Sequence, residues 1–172
     1  MKSNSFLVDP DASSAKSRVG LIHLLNLNLR LMEEWRRAQT GLFGAPLDVE
    51  STMILMAITA IGAENLVRTG DLKNFEDLST PINSHLLRRC NLSSIAEATG
   101  LNREMVRRRV GSLEKKGILV RDDDGGVRIA ERISEQPEVR EAVRSQLVSM
   151  AATLDRLRKE GLIRYNDQPE NP

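Results

Sequence analysis

The sequence predicts a mainly α-helical protein that carries one small β-hairpin. Apolar residues recur every three or four positions over 17–39, 49–67 and 137–160, which is the period of amphipathic helices. Between them, residues 91–117 contain capping residues and glycines at the spacing of two short helices. The Asp-Gly-Gly turn at 124–126 then joins two short apolar runs, as in a β-hairpin.

The charge of the chain is small in total but unevenly placed. The 172 residues are 40% hydrophobic, which argues against disorder, and a formal net charge of +1 excludes a general polyanion binder. Residues 88–116 hold eight basic and three acidic side chains, whereas residues 45–87 hold two basic and six acidic ones. Positive charge is therefore concentrated on the two short helices, as phosphate binding requires.

Nothing in the sequence indicates export or a membrane partner. The single cysteine, Cys90, cannot form an intramolecular disulfide. The apolar run at residues 6–8 is too short for the core of a signal peptide. The longest apolar stretch, residues 53–63, is too short to span a bilayer of about 30 Å. We therefore expect a soluble, cytoplasmic protein.

Each of the two short helices has its own start and stop signals. Ser93 and Ser94 can accept hydrogen bonds from the free N–H groups at a helix start, and Gly100 can end that helix in the left-handed conformation. Asn102 is a good N-cap for the second helix, which we expect to end near Lys116.

The second short helix is predicted to have one face that packs and one that is presented outwards. At about 100° per residue, Val106, Val110 and Leu113 share one side of the helix. The other side carries Glu104, Arg108, Gly111 and Lys115, with Arg103 and Arg107 on the flank.

The stretch GLNREMVRRRVGSLEKKGIL, residues 100–119, resembles the turn and recognition helix of winged helix-turn-helix transcriptional regulators of the MarR and GntR type. The shared pattern is a glycine, an apolar residue and a cap, then Arg, two variable residues, Val and Arg. It ends with apolar residues around a glycine, here Val110, Leu113, Gly117, Ile118 and Leu119. The resemblance covers residues 91–130 and implies that 118–121 and 127–130 form the hairpin known as the wing.

These signals divide the chain into five segments. We expect a flexible leader over 1–16, an N-terminal helical region over 17–78, the winged helix-turn-helix over 79–133, a C-terminal helix over 134–163 and a flexible tail over 164–172. Pro81 favours a helix over 81–89 as the first of the three helices of the DNA-binding domain, with Leu86 and Leu87 in its core.

The helix over 49–67 is predicted to be a core helix. Asp48 can cap its start, and residues 53–63 are apolar nearly all round. Because this helix is apolar on nearly all sides, we also expect a pocket for a small-molecule effector between the helix and its neighbours.

The helix over 17–39 carries two apolar seams, which are Ile22, Leu25, Leu29 and Met32 on one side and Leu24, Leu27, Leu31 and Trp35 on the other. One seam suffices for packing on a single core, so the second indicates either a deeply buried helix or a partner. We favour a homodimer, in which this helix and the apolar stripe of the C-terminal helix form the contact.

The cations of the second short helix suit the reading of DNA bases. Arg103 and, one turn later, Arg107 or Arg108 are candidates for bidentate hydrogen bonds to guanine, while Glu104 can accept from cytosine N4 or hold an arginine in place. Gly111 would let the backbone approach a duplex closely. The alternative is a solvated helix face on which the arginines pair with neighbouring glutamates.

A second group of side chains is predicted to contact the DNA backbone and comprises Ser93, Asn102, Arg109, Lys115, Arg121 and Arg128. For Arg88, Arg89, Lys115 and Lys116 a competing interpretation exists, because basic residues near helix C-termini also stabilise the helix dipole. The three aspartates at 122–124 argue against a deep insertion of the hairpin into a groove.

An enzyme is not expected, and we assign no catalytic residue, metal ligand or cofactor. His23 and His85 are far apart in sequence and neither has metal-ligand spacing around it. Cys90 follows two arginines, which could make its thiol a redox sensor, but a lone cysteine at a helix end is more often buried packing.

The sequence therefore predicts a homodimeric, sequence-specific regulator of transcription that binds double-stranded DNA. The helix over 102–116 would lie in the major groove of a pseudo-palindromic site. The alternative is a winged-helix adaptor that binds other proteins and has no specific DNA site. Salt-sensitive binding to duplex DNA separates the two functions.

Overall fold

Helices make up most of the chain. The computed structural model describes residues 6–8, 16–71, 73, 82, 86–131 and 133–165. These residues form five α-helices and two antiparallel pairs of strands, in the order β1 Phe6–Val8, α1 Ser17–Phe43, α2 Val49–Thr69, α3 Leu92–Thr99, α4 Arg103–Lys115, β2 Leu119–Arg121, β3 Val127–Ile129, α5 Pro137–Lys159 and β4 Ile163–Tyr165. The predicted fold class, mainly helical with a small hairpin, is confirmed. None of the described helices has both the length and the apolar character needed to cross a membrane.

The chain forms two compact units. The terminal unit is drawn from Met1–Arg37 and Glu141–Pro172, and the central unit is Ala38–Arg140. Helices α1 and α5 each contribute residues to both units. The central unit begins well before residue 79, the predicted start of the DNA-binding domain, because α2 belongs to it and not to a separate N-terminal region.

In the terminal unit, α1 and α5 run antiparallel. Lys16 Nζ donates to the Glu160 carbonyl oxygen at 2.5 Å, and Gln146 Nε2 donates to the Leu31 carbonyl oxygen at 3.4 Å. The second predicted seam of α1 is partly buried at Leu27, Leu31 and Trp35. The opposite face is between 50% and 66% exposed and is called the α1 stripe, which consists of Leu21, Ile22, Leu25, Leu29 and Met32.

The predicted flexible ends of the chain meet in a sheet. Phe6–Val8 pairs antiparallel with Ile163–Tyr165, with Leu7 opposite Arg164. The predicted leader is therefore wrong for residues 6–8 and the predicted tail for residues 164 and 165, while Ile163 lies in this strand and not in the helix predicted over 134–163. The two strands are at opposite ends of the sequence, so no local periodicity could predict that they pair. The rest of the predicted leader, apart from Lys16, and the tail from residue 166 lie outside the described residues.

Helix α2 organises the central unit. Its predicted N-cap is confirmed, because Asp48 Oδ1 accepts a hydrogen bond from the Ser51 N–H at 2.8 Å. It packs against α3, α4 and β3. The core around it consists of Ile54, Ala57, Ile58, Cys90, Ile95, Val106, Val110, Leu113, Ile118, Leu119 and Val127. Only one side of α2 is buried, however, so the prediction of a helix enclosed in the core is wrong for its other side, where Met53 and Met56 are exposed.

The predicted helix over 81–89 is not found in the part of the chain that the structure describes. Residues 81 and 83–85 lie outside the described residues, and 86–89 form no α-helix. The Arg88 N–H instead donates to the Gly62 carbonyl oxygen at 2.9 Å, so this segment runs along α2. The predicted core residue Leu86 is 42% exposed. Helix α2 takes the packing position predicted for the 81–89 helix, because its long apolar face covers both α3 and α4.

Helix α3 begins two residues earlier than predicted and ends at Gly100 as predicted. Its N-cap is Asn91, whose side chain accepts from the N–H groups of Ser93 and Ser94, while Ser94 Oγ accepts in return from the Asn91 N–H. Ser93 is therefore inside the helix and does not cap it. Gly100 ends α3 with φ +70° and leaves nothing within 4 Å of an added Cβ, so the left-handed backbone is what requires glycine there.

Helix α4 and the hairpin follow the predicted boundaries closely. Asn102 Oδ1 accepts from the Met105 N–H at 2.8 Å, which confirms it as the N-cap of α4. Strand β2 pairs with β3 so that Val120 is opposite Arg128. The Gly125 N–H donates to the Asp122 carbonyl oxygen at 2.9 Å and closes the predicted turn.

Asp48 is expected to stabilise the central unit twice, as the cap of α2 and as a partner of Arg109, whose Nη1 lies 2.7 Å from Asp48 Oδ2. Asp48→Ala removes both and should lower the free energy of unfolding by about 1 kcal/mol or more, the usual cost of a lost cap. Asp48→Asn retains a capping oxygen and should cost less. Chemical denaturation at neutral pH measures the difference, and equal losses would show that the cap contributes nothing.

The same carboxylate should make stability depend on pH. Partial burial would raise the pKa of Asp48, but the hydrogen bonds from Ser51 and the charge of Arg109 outweigh it and lower that pKa below its ordinary 3.8. A lowered folded-state pKa stabilises the protein above pH 3.8 and is lost as the pH falls through the folded value. The stability gap between wild type and Asp48→Asn should therefore shrink on acidification.

Candidate nucleic-acid interface

Packing fixes which side of α4 faces outwards. Val106, Val110 and Leu113 are at most 1% exposed and form its inner side. The opposite side presents Glu104, Arg108 and Lys115, all exposed. The two faces predicted from the helical period are therefore the faces that the structure forms.

Several cations of α4 have no acidic partner within the described residues. Arg103, Arg108, Lys115 and the C-cap Lys116 are exposed, and none of them makes an ion pair with a described side chain. Arg103 and Arg108 belong to the predicted base-reading set and Lys115 to the backbone set. Cations without an acidic partner in the chain gain the most binding free energy from a hydrogen bond to a phosphate or a base edge, because no ion pair has to be broken first.

Arg107 and Glu104 form an ion pair on the surface of α4. Arg107 Nε lies 2.8 Å from Glu104 Oε2 and its Nη2 lies 2.5 Å from Oε1. The hydrogen bonds from Arg107 lower the pKa of Glu104 below its usual value, and the same bonds raise the pKa of Arg107. Both side chains remain largely exposed, so water screens the pair and Arg107 can exchange its partner at low cost.

Arg109 differs from its two arginine neighbours because it faces α2. Its Nη1 lies 2.7 Å from Asp48 Oδ2 and its Nη2 lies 3.5 Å from Glu50 Oε2. Its side chain is 29% exposed, against 65% for Arg107. The predicted contact of Arg109 with the DNA backbone is therefore replaced by an ion pair that joins α4 to the start of α2.

The two arginines of the hairpin are also held by acids of the chain. Arg121 Nε lies 2.8 Å from Glu114 Oε1. Arg128 Nε lies 2.9 Å from Asp122 Oδ1, and Glu131 is 3.6 Å from its Nη1. Both arginines were predicted to contact the DNA backbone, but in this structure they fasten the hairpin to α4 and to its own turn.

The residues before α3 neutralise part of the acidic turn. Arg89 pairs with Asp124, and Arg88 pairs with Glu64 of α2. These pairs explain how aspartates at 122–124 are accommodated near a basic helix. They also mean that Arg88 and Arg89 have partners within the chain.

Ser93 and Asn102 lie at the starts of the two short helices. Ser93 is exposed near the N-terminus of α3, and Asn102 is exposed at the start of α4, where its Oδ1 is used by the cap. The amide nitrogen of Asn102 points to no partner among the described residues. Both positions leave a polar group available beside a helix N-terminus, where anions are favoured.

Two small residues complete the outer side of α4. Gly111 lies between Arg108 and Lys115, and an added Cβ there would meet nothing within 4 Å. Ser112, which the sequence analysis did not single out, is exposed beside it. The helical period could have identified Ser112, since it lies about 40° from Arg108 around the helix.

The remaining candidate groups are the cysteine and the two histidines. Cys90 is 1% exposed, which confirms the packing interpretation, and burial raises the pKa of its thiol. His23 is half-buried on α1, and His85 lies outside the described residues. No group of three metal-ligating side chains occurs among the residues that were described.

No protein-family model, curated protein or solved structure matches the chain. The features that bear on function are the outward face of α4, its cations that pair with no acid among the described residues, and the short turn before it. The predicted effector pocket and the predicted cellular location stay predictions.

The neighbours Arg108 and Arg109 should respond differently to truncation. Arg109→Ala leaves Asp48 and Glu50 without their cation and should lower the free energy of unfolding by about 1 kcal/mol, because the partly exposed carboxylates are screened by water. Arg108→Ala removes an exposed side chain and should change it by less than about 0.5 kcal/mol. Thermal or urea unfolding compares them, and equal stabilities would contradict a structural role for Arg109.

Proposed function

We propose that this chain is a sequence-specific transcriptional regulator that binds double-stranded DNA through a winged helix-turn-helix. The observation that carries the proposal is the outward face of α4, where Arg103, Arg108 and Lys115 are exposed and without acidic partners among the described residues. An exposed helix with unneutralised cations matches the width and the charge of the major groove.

The order of elements supports the same domain type. Helix α3 and helix α4 are joined by residues 100–102 alone, and the β2–β3 hairpin follows α4 directly. Helix α2 completes a three-helix unit by packing on both short helices. In such a unit the second short helix is the one that enters the groove, and the first crosses the backbone.

The side chains of α4 can then be given separate roles. Arg103 and Arg108 are proposed to read bases, and Arg107 does so after exchanging Glu104 for a base edge. Lys115, together with Ser93 and Asn102 at the two helix starts, is proposed to contact phosphates. Arg109 keeps its place against α2 and carries no base-reading role.

The regulator is proposed to act as a homodimer through the terminal unit. The α1 stripe carries five large apolar side chains that are half or more exposed, and Leu147 and Met150 of α5 are exposed as well. A contiguous row of large, exposed apolar side chains is typical of an interaction surface. A two-fold dimer would place two copies of α4 on half-sites about 34 Å apart or a multiple of that distance.

Arg103→Ala with Arg108→Ala should abolish discrimination between a specific and a scrambled duplex. Each lost bidentate contact to guanine costs about 1–3 kcal/mol against the wrong base. Fluorescence anisotropy measures the ratio of the affinities for the specific and the scrambled duplex. The first specific duplex to test is the DNA upstream of the gene, and a second can be obtained by selection from random duplexes. Arg140→Ala, an exposed arginine on α5, is the matched control and should retain wild-type binding.

A salt series on the same duplexes separates the two candidate functions. Wild type should lose affinity with a log–log slope of about −0.9 for each phosphate that is neutralised. Lys115→Ala should reduce the slope by about one phosphate and weaken all duplexes equally. If no duplex is selected and affinity does not depend on salt, the chain is not a DNA-binding regulator, and the adaptor function takes its place.

Gly111→Ala should separate stability from DNA binding. The added methyl group meets nothing in the folded chain, and alanine in a helix stabilises by about 0.5–1 kcal/mol relative to glycine. The same methyl group would stand between the α4 backbone and a bound duplex. Unfolding and anisotropy measurements should therefore show a more stable protein that binds DNA more weakly. An unchanged affinity would contradict close approach at this position.

A further inference from the structure

A continuous apolar face of α2 is not covered by any other element among the residues that the structure describes. It is called the α2 seam and consists of Val49, Met53, Met56, Ala60, Ala63 and Val67. Val49 is 56% exposed, Met53 37%, Met56 43% and Val67 62%. These residues lie on the side of the helix away from Ile54 and Ile58, which face the core.

The α2 seam is unusual for the unit that contains it. Among the described residues of the central unit, the exposed large apolar side chains are those of Val49, Met53, Met56 and Val67 together with Leu86. Four of the five are therefore in one row on one helix. Scattered exposed apolar residues are normal, whereas a contiguous row marks an interaction surface.

The spacing of the row indicates that its partner is another helix. Its members are separated alternately by four and three residues from Val49 to Val67. A repeat of 3.5 residues is the pattern of two helices that pack along their length in a coiled coil, and it differs from the wider stripe that faces a globular core. The 21-residue helix α2 is about 31 Å long at 1.5 Å per residue, which allows three layers of contact on each side of a two-fold axis.

We propose that the α2 seam binds the α2 seam of a second copy of this chain in antiparallel orientation. With a two-fold axis at the middle of the row, Val49 faces Val67 of the partner subunit. Met53 then faces Ala63 of the partner subunit, and Met56 faces Ala60 of the partner subunit. Each methionine is thus placed on an alanine and the valines lie on each other, so the surface is complementary to itself.

A parallel pair would lack this complementarity. Residues of the same number would then be opposite, so methionine would meet methionine at 53 and 56 while alanine would meet alanine at 60 and 63. The first two layers would be overfilled and the next two would leave gaps. The antiparallel pair also brings the N-terminus of each helix near the C-terminus of the other, where their dipoles attract.

The acidic residues beside the α2 seam are not expected to repel a second copy of the chain. Glu50 and Glu64 flank the α2 seam, and each already has an arginine partner in its own chain. Arg109 is 3.5 Å from Glu50, and Arg88 pairs with Glu64. Their charges are therefore compensated before association.

This contact is separate from the dimer of the proposed function. The α2 seam lies in the central unit and the α1 stripe lies in the terminal unit, so one can form without the other. If the α2 seam and the α1 stripe each bind another copy, two dimers are joined. Such an assembly could occupy neighbouring operator sites cooperatively. The self-association itself does not rest on DNA binding and can be measured without DNA.

The mass of the full-length chain in solution tests the proposal. Met56→Glu places a charge in the middle of the α2 seam and should halve the number of chains per particle in sedimentation equilibrium. Glu97→Lys, an exposed charge change on α3 and outside the α2 seam, should leave the mass unchanged. Leu25→Glu in the α1 stripe reports on the other contact, so a failure of either contact can be told from a failure of both.

Cross-linking tests the orientation in a way that folding defects do not mimic. In a Cys90→Ala background, Val49→Cys with Val67→Cys should give covalent dimers with a short bis-maleimide, because the antiparallel pair makes these positions neighbours. Within one helix they are about 27 Å apart, too far for the same reagent. Val49→Cys alone should remain uncross-linked and would cross-link only in a parallel pair.

Four results would overturn the proposal. One is a wild-type chain that sediments as a single copy at every concentration. Another is a mass that Met56→Glu leaves unchanged while circular dichroism shows the native helix content. The third is cross-linking of Val49→Cys alone. The fourth is capture on the α2 seam of an amphipathic helix from a different protein in place of a second copy.

Discussion

The burial of one side of α4 on α2 is the constraint on which the rest of the central unit depends. Val106, Val110 and Leu113 reach almost zero exposure in a core to which α2 supplies Ile54 and Ile58 and α3 supplies Ile95. Burial of such side chains contributes about 1.5–3 kcal/mol each, which far exceeds any single surface ion pair. Once that side is buried, the rotation of α4 about its own axis is fixed, so the cations on its outward side face solvent.

The packing of α4 on α2 gives three consecutive arginines of α4 different roles. Arg107 pairs along the helix with Glu104, Arg108 has no ion pair with a described residue, and Arg109 reaches Asp48 and Glu50. Their positions differ only by about 100° of rotation for each residue. The residue nearest the packed side becomes structural, and the residue farthest from it stays available to a ligand.

Apolar surface is distributed in the same ordered way. Each of the two long N-terminal helices buries one side and exposes another, α1 with its stripe and α2 with its seam. Both rows contain residues that are three and four positions apart, but they differ in side-chain size, because the α2 seam has its two methionines in one half and its two alanines in the other. A protein that binds a repeated or two-fold ligand such as DNA gains specificity from self-association of this kind.

The sequence by itself determined the local features: the caps Asp48 and Asn102, the end of α3 at Gly100, the two faces of α4 and the hairpin turn. These depend on neighbours within a few residues, where capping and helical period act. Only the tertiary structure decided that α2 replaces the predicted helix over 81–89, that β1 pairs with β4, and that Arg109, Arg121 and Arg128 are held by acids of the chain. Each of these joins residues by contact through space, which no local pattern records.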